Sequence, residues 1–158
     1  MEHRREHKSD VSFSYALGHN FRPRGYLDAK LGKPVWQTAD PEILEAIGPH
    51  YKAQHPRYGF SSTSYIKCSD RAVYFAGPQR NRLVAVSATD GRLLWQYPSG
   101  NYHLVLRDDA LYAIGSTHGS GTSIKFDPMS GRVLADLPRV RGHCTRATGS
   151  IDSIFCRG

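Results

Sequence analysis

Three cysteines, eight histidines and a crowded run of arginines are the residues of this chain that could do chemistry, and their spacing decides which kind. Structural zinc takes four ligands, usually delivered in close pairs such as Cys-x-x-Cys. Here Cys68 stands alone, His143 and Cys144 are neighbours, Cys156 follows 12 residues later, and His103 and His118 flank a stretch of strand-forming residues. No Cys-x-x-Cys pair exists, and no Cys-x-x-Cys-His haem attachment exists either, so metal and haem are disfavoured. The stretch GSTHGSGTS (115–123) offers hydroxyls beside His118 but lacks the lysine and following helix of a phosphate loop, and it reads as a loop between strands. Arg139, Arg141, His143 and Arg146 share one segment of a chain whose net charge is +7. Such a patch attracts nucleic acid, anionic lipid or an acidic partner. Aromatics are not interleaved with it, as a single-strand binder requires, so a solvated or structural role is favoured. Nucleic-acid binding would instead show as salt-sensitive retention on DNA, abolished by replacing Arg139, Arg141 and Arg146 with Ala. Cys68, at an alternating strand position, reads as a buried structural thiol. Cys144 and Cys156 can close a bridge if the chain is exported, which leaves one thiol over.

The elements that must position these residues announce themselves by repetition. LDAKLGKPVW (27–36), VSATDGRLLW (86–95) and FDPMSGRVLA (126–135) align without a gap. YALG, YFAG and YAIG precede them, ending at Gly18, Gly77 and Gly115. Gly18 to Trp36 and Gly77 to Trp95 are both 18 residues, and Gly115 to Ala135 is 20. A repeat of this period means an array of like units, each unable to bury its faces alone.

The unit can be read from its best copy. SYIKCSDRAVYFAG (64–77) is two runs of β-formers broken at Ser69-Asp70, and YHLVLRDDALYAIG repeats it with a turn at Asp108-Asp109. RLVAVSA, a turn ending at Gly91, and RLLWQY complete the second copy. Gly32, Gly91 and Gly131 take the place where positive φ costs a glycine nothing. Asp90 and Ser130, just before the glycine, favour the turn by bonding to nearby backbone. Four antiparallel strands in about 40 residues is a β-propeller blade. Trp36 and Trp95, at one place in the last strand, supply large flat area for docking on the next blade. Ala135 replaces them in the third copy, so that junction is expected to be weaker.

The pattern apolar-x-Ala/Pro-x-x-Gly-Lys/Arg-x-x-Trp, preceded by a hairpin ending in Gly, resembles the repeat of the quinoprotein-like, or PQQ-like, propellers. These include PQQ-dependent alcohol dehydrogenases and a lipoprotein that helps assemble bacterial outer-membrane barrels. SGRVLADLPRVRGHCTRATGSIDSIFCRG further resembles large PQQ-like proteins of planctomycete-type bacteria, in which a Cys-Thr-Arg or similar segment opens a blade. The resemblance spans residues 11–158 and implies fold more than activity. It also raises a quinone cofactor. The dehydrogenases carry Ca²⁺ held by carboxylate and amide ligands, a catalytic Asp, and usually a disulfide between adjacent cysteines. No two cysteines are adjacent here, and no acidic pair sits in a segment resembling the ligand motif, so neither PQQ nor Ca²⁺ is expected.

The implied architecture is all-β: a partial propeller of four-stranded antiparallel blades, three nearly complete and half of a fourth. A charged segment (1–10) precedes a partial blade (11–36), an insert with a short helix (37–60), blades at 61–101 and 102–141, and the start of another at 142–158. IDSIFCRG aligns with DDALYAIG, so Phe155 falls at the place of Tyr112. Propellers close with about 4–8 blades, and an open one leaves strand edges unpaired. A fragment of a larger propeller is expected; an imposed chain boundary or completion by a partner are the alternatives. Either the remaining blades or another protein then covers the open edges. In the insert, Asp40 can cap a helix that Pro41 begins and Gly48-Pro49 ends, with Ile43, Leu44 and Ile47 on one edge. Tyr51, His55, Arg57 and Tyr58 in the same insert are the candidates for partner contact, with Arg139, Arg141 and Arg146. No apolar run approaches a membrane span, and no apolar leader follows Met1. A genuine N-terminus would place the chain in the cytoplasm; an internal fragment would be periplasmic or exported. The expected function is a non-catalytic binding or scaffold module of a larger protein, with a PQQ-dependent oxidoreductase whose site lies in other blades as the alternative.

Overall fold

The computed structural model describes residues 11–12, 24–28, 30–47, 65–77, 80–115, 121–138, 147–150 and 152–156. They form four successive antiparallel sheets, each wound as a simple meander. The first holds β1 (Val11–Ser12), β2 (Arg24–Asp28) and β3 (Pro34–Thr38), and is followed by one helix, α1 (Pro41–Ile47). The second is β4 (Tyr65–Cys68), β5 (Ala72–Ala76), β6 (Leu83–Ser87) and β7 (Leu93–Tyr97). The third is β8 (His103–Leu106), β9 (Leu111–Ile114), β10 (Ser123–Phe126) and β11 (Val133–Leu137). A hairpin of β12 (Ala147–Gly149) and β13 (Ile154–Cys156) begins the fourth. The protein is a partial β-propeller, and its blades stack face on face with the opening strand β8 touching both β4 and β12.

Burial shows why stacking is obligatory. Every residue of β5 and of β6 is buried, on both faces of the sheet. A strand alternates its side chains between faces, so this pattern requires a neighbour on each side. One face of the second blade (Val73, Phe75, Val84, Val86) meets Tyr26 and Trp36 of the first. The other (Ala72, Tyr74, Ala76, Ala85, Trp95) meets Leu104, Leu111, Ala113, Ile124 and Phe126 of the third. Val105, Tyr112 and Ile114 of the third blade meet Ala147, Ile154 and Cys156 of the fourth.

The same irregularity recurs in each outer strand pair. Tyr26 faces Trp36 but Leu27 faces Pro34; Ala85 faces Trp95 but Val86 faces Leu93; Lys125 faces Ala135 but Phe126 faces Val133. One extra residue on the closing strand makes a β-bulge, which bends that strand and sharpens its twist. The first sheet, three-stranded among the described residues, also departs from the repeat in register. Val11 stands opposite Asp28, the place Ala72 takes opposite Ser87, whereas aligning Gly18 with Gly77 puts Phe13 there. The strand is displaced by two residues, a shift that preserves which face each residue belongs to.

The insert does more than decorate a rim. Asp40 caps α1: its carboxylate accepts the Glu42 N–H at 2.9 Å and its carbonyl accepts the Leu44 N–H at 3.0 Å. Leu44, Ala46 and Ile47 are buried, and Ala46, Ile47 and Ile43 pack into the cluster between the first two blades. Replacing Ile47, which is 1% exposed, with Ala is expected to destabilise the fold by about 2–5 kcal/mol. Urea unfolding measures this directly, and a loss within the range of an exposed substitution would place α1 outside the core.

Candidate functional site

The repeated turn between third and fourth strands is built alike in all three blades. The Gly32, Gly91 and Gly131 N–H groups donate to the Asp28, Ser87 and Asp127 carbonyls at 2.8, 3.0 and 3.0 Å. The side chains of those same three residues accept from backbone inside the turn. Asp28 Oδ1 receives Lys30 and Leu31, Ser87 Oγ receives Thr89 and Asp90, and Asp127 Oδ1 receives Met129 and Ser130. Each turn ends on a left-handed glycine, with φ of 63°, 76° and 70° in order. The backbone bonds from Ser130 and the Ser130 hydroxyl hold the Asp127 carboxyl below its ordinary range. Asp90 and Ser130 take the lesser part, each accepting the N–H of the arginine two residues on. The capping position four residues before the glycine was visible as Asp, Ser, Asp in the three copies.

Onto these turns fall the tryptophans. Trp36 leaves β3 and lies on the second blade's turn, its indole N–H donating to the Ala88 carbonyl at 2.9 Å. Trp95 does the same one blade on, donating to the Pro128 carbonyl at 2.9 Å. The rings cover the glycines closely. A Cβ on Gly91 would come within 2.6 Å of the Trp36 ring, and one on Gly131 within 2.5 Å of the Trp95 ring. Trp36 stacks on Tyr26 (6.2 Å between centroids, 4° between planes) and Trp95 on Phe126 (5.7 Å, 25°). Glycine is thus required at 91 and 131 twice over, by φ and by space. Gly32 adopts the same φ, but among the described residues nothing lies within 4 Å of its would-be Cβ. Replacing Gly32 with Ala is expected to cost about 1 kcal/mol for left-handed backbone alone. Gly91→Ala and Gly131→Ala should each cost about 1–3 kcal/mol more, because the indole must move. Equal losses at all three positions in urea unfolding would refute the docking geometry.

The third blade breaks this pattern. Ala135 stands where Trp36 and Trp95 stand, and opposite it Lys125 replaces Tyr26 and Ala85. A charged group forms around that lysine. Lys125 Nζ and the Tyr112 hydroxyl both donate to Asp109 Oδ2 at 2.8 Å, and Arg107 Nε lies 3.3 Å from Asp109 Oδ1. Both cations also face the Tyr112 ring, Lys125 Nζ at 5.3 Å and Arg107 Cζ at 5.7 Å from its centroid. The fourth blade is tied on nearer the inner strands, where His103 Nδ1 accepts the Ala147 N–H at 3.2 Å. Phe155, the counterpart of the buried Tyr74, is 59% exposed on the fourth blade.

The hydrogen bond from Lys125, then that from Tyr112, holds the Asp109 carboxyl below its ordinary range, and the same Asp109 contact raises Lys125. A carboxyl depressed by folding stabilises the native state above its unfolded value, and that contribution disappears as pH falls through the folded one. A lysine raised by folding contributes until pH climbs through its own raised value. The pair therefore acts between the acid and alkaline limits, modestly, because Asp109 is 46% exposed. Asp109→Asn is expected to lessen the slope on the acid side of the stability–pH curve and to weaken its salt dependence there. An unchanged curve would show that the group holds nothing together.

Of the other sequence candidates, Tyr51, His55, Arg57, Tyr58, Arg139, Arg141 and Arg146 lie outside the described residues, as does Cys144. Cys68 is half-buried beside the cluster between the first two blades, and burial pushes its thiol up, away from a reactive thiolate. Among the described residues, no three His, Cys, Asp or Glu side chains gather as a metal site would require, and no helix is long and apolar enough to cross a membrane.

No protein-family model matches the sequence, and no curated protein matches it. Among solved structures the chain is similar to the crystal structure of BamB from Moraxella catarrhalis, at 15% identity and a TM-score of 0.46. The match covers 73% of this chain and 31% of that one, so the chain spans less than a third of that protein's length.

Proposed function

We propose that this chain is a non-catalytic propeller module, the binding and scaffold part of a larger protein. One observation carries the reading: the residues the repeat keeps are consumed in joining blade to blade. Each docked indole gives its N–H to the next blade's backbone and its ring to the next blade's glycine. Nothing of Trp36 or Trp95 is left to receive a substrate. The resemblance to quinoprotein-like propellers adds an exported setting and raises the question of PQQ.

Features of the described residues favour a reading without that cofactor. A quinone needs a flat floor, and the Trp95 ring is already enclosed by Tyr74, Phe126 and the Gly131 turn. Its Ca²⁺ needs converging oxygen ligands, and among the described residues no three His, Cys, Asp or Glu side chains gather. Asp28 and Asp127 cap turns, Asp109 pairs with Lys125 and Arg107, and Asp90 pairs with Arg92. Cys68 and Cys156 belong to different blades. Titrating the chain with PQQ in the presence of Ca²⁺, followed by tryptophan fluorescence, is expected to give no saturable quenching. Micromolar saturable binding would overturn the scaffold reading in favour of a quinoprotein oxidoreductase.

A further inference from the structure

We infer that the outer rim of the stacked blades is a docking surface for an acidic, amphipathic segment of a partner protein, gripped by side chains rather than by backbone pairing. The inference rests on the binding-module reading and names the surface that binds and the chemistry it selects. Its first support is where exposed apolar residues fall. Among the described residues six large apolar side chains are exposed, and five of them lie in a third-to-fourth-strand turn or in the first two residues of a closing strand. Val35, Leu93, Val133 and Leu134 are 47, 36, 43 and 38% exposed, so each of the first three sheets contributes from the same two places. Apolar residues scattered singly over a surface are ordinary, whereas a set repeated at one place in successive blades is not. An open end of the array does not explain them. The second blade is covered on both faces, and Leu93 is exposed there all the same. The opening strands β4, β8 and β12 contact one another, which puts the closing strands β3, β7 and β11 on the outside.

The second support is charge. Directly before each apolar pair stands Lys33, Arg92 or Arg132, all exposed, on a chain of net charge +7. Asp90 lies 3.5 Å from Arg92, but both are more than half exposed, so that pair is screened and readily exchanged for another carboxylate. Cations beside aliphatic side chains complement a segment with an apolar face and acidic flanks. The backbone disfavours strand addition. Each closing strand is a sheet edge and carries its β-bulge at these same residues, and Pro34 removes a donor from the first. A lipid surface fits less well, because interfacial contact draws on Trp and Tyr, whereas the exposed set is aliphatic and both tryptophans are buried in the joints.

The test screens a displayed library of random peptides, each of roughly 16 residues or four helical turns, against the intact chain. The Arg92→Gln/Leu93→Thr variant serves as the counter-screen. Urea unfolding checks that the variant keeps the parent's stability; if it does not, Arg132→Gln/Val133→Thr takes its place. Recovered peptides are expected to carry Glu or Asp beside apolar residues spaced three and four apart. They should bind the variant about tenfold more weakly, and their affinity for the parent should fall as salt rises. Peptides that bind parent and variant alike, peptides without acidic residues, or no enrichment at all would overturn the docking rim. Phosphatidylglycerol vesicles that retain the parent and release the variant would give the rim to lipid, and would overturn it too. If the screen fails while PQQ stays unbound, only the rim falls; if PQQ binds, the module reading falls whatever the screen returns.

Discussion

One contact organises this molecule: an indole laid flat on a glycine turn, with its single polar atom bonded to the turn's backbone. The indole brings much apolar area to a junction, and its N–H is costly to bury unpaired. The Ala88 and Pro128 carbonyls remove that cost. In return the tryptophan fixes how far one blade lies from the next, because its ring leaves no room for a Cβ beneath it. The repeated bulge, the capping Asp or Ser and the left-handed glycine can all be understood as the local conditions for presenting that surface at a constant place.

Interaction is thus nearest-neighbour in kind. Each blade is completed by the one before and the one after, and order is expected to decline from the doubly covered second blade toward either end. α1 modifies this picture at one junction. By sending Ala46 and Ile47 into the cluster around Trp36, it makes the insert part of the first joint.

Much of this was legible in the residues. Gly32, Gly91 and Gly131 announced turns because a fixed glycine between two β-forming runs has few other uses. Trp36 and Trp95 announced a joint because large residues kept in register need a common partner. The helix was readable from Asp40 and Pro41. What could not be read depends on pairing across strands. Asp109 and Lys125 are 16 residues apart, and only the β9–β10 register sets Tyr112 beside Lys125. Asp109 looked like an ordinary turn residue, though Lys125 at the place of Tyr26 and Ala85 was a signal in the alignment itself. The two-residue offset of β1 was hidden for a different reason: Tyr-Ala-Leu-Gly matches the repeat whether or not it keeps the repeat's register.

A stack of identical joints has a weakness of its own, since any blade could then follow any other. The third blade is not identical to the other two. With Ala135 in place of the indole and Lys125, Asp109 and Arg107 around Tyr112, its outer face presents charge where the first two present an indole. Charge at a joint contributes little to holding it closed and much to deciding what it will close upon. The third blade thus differs from the first two in the chemistry it offers to whatever lies against it, charge and a phenol ring in place of a flat indole.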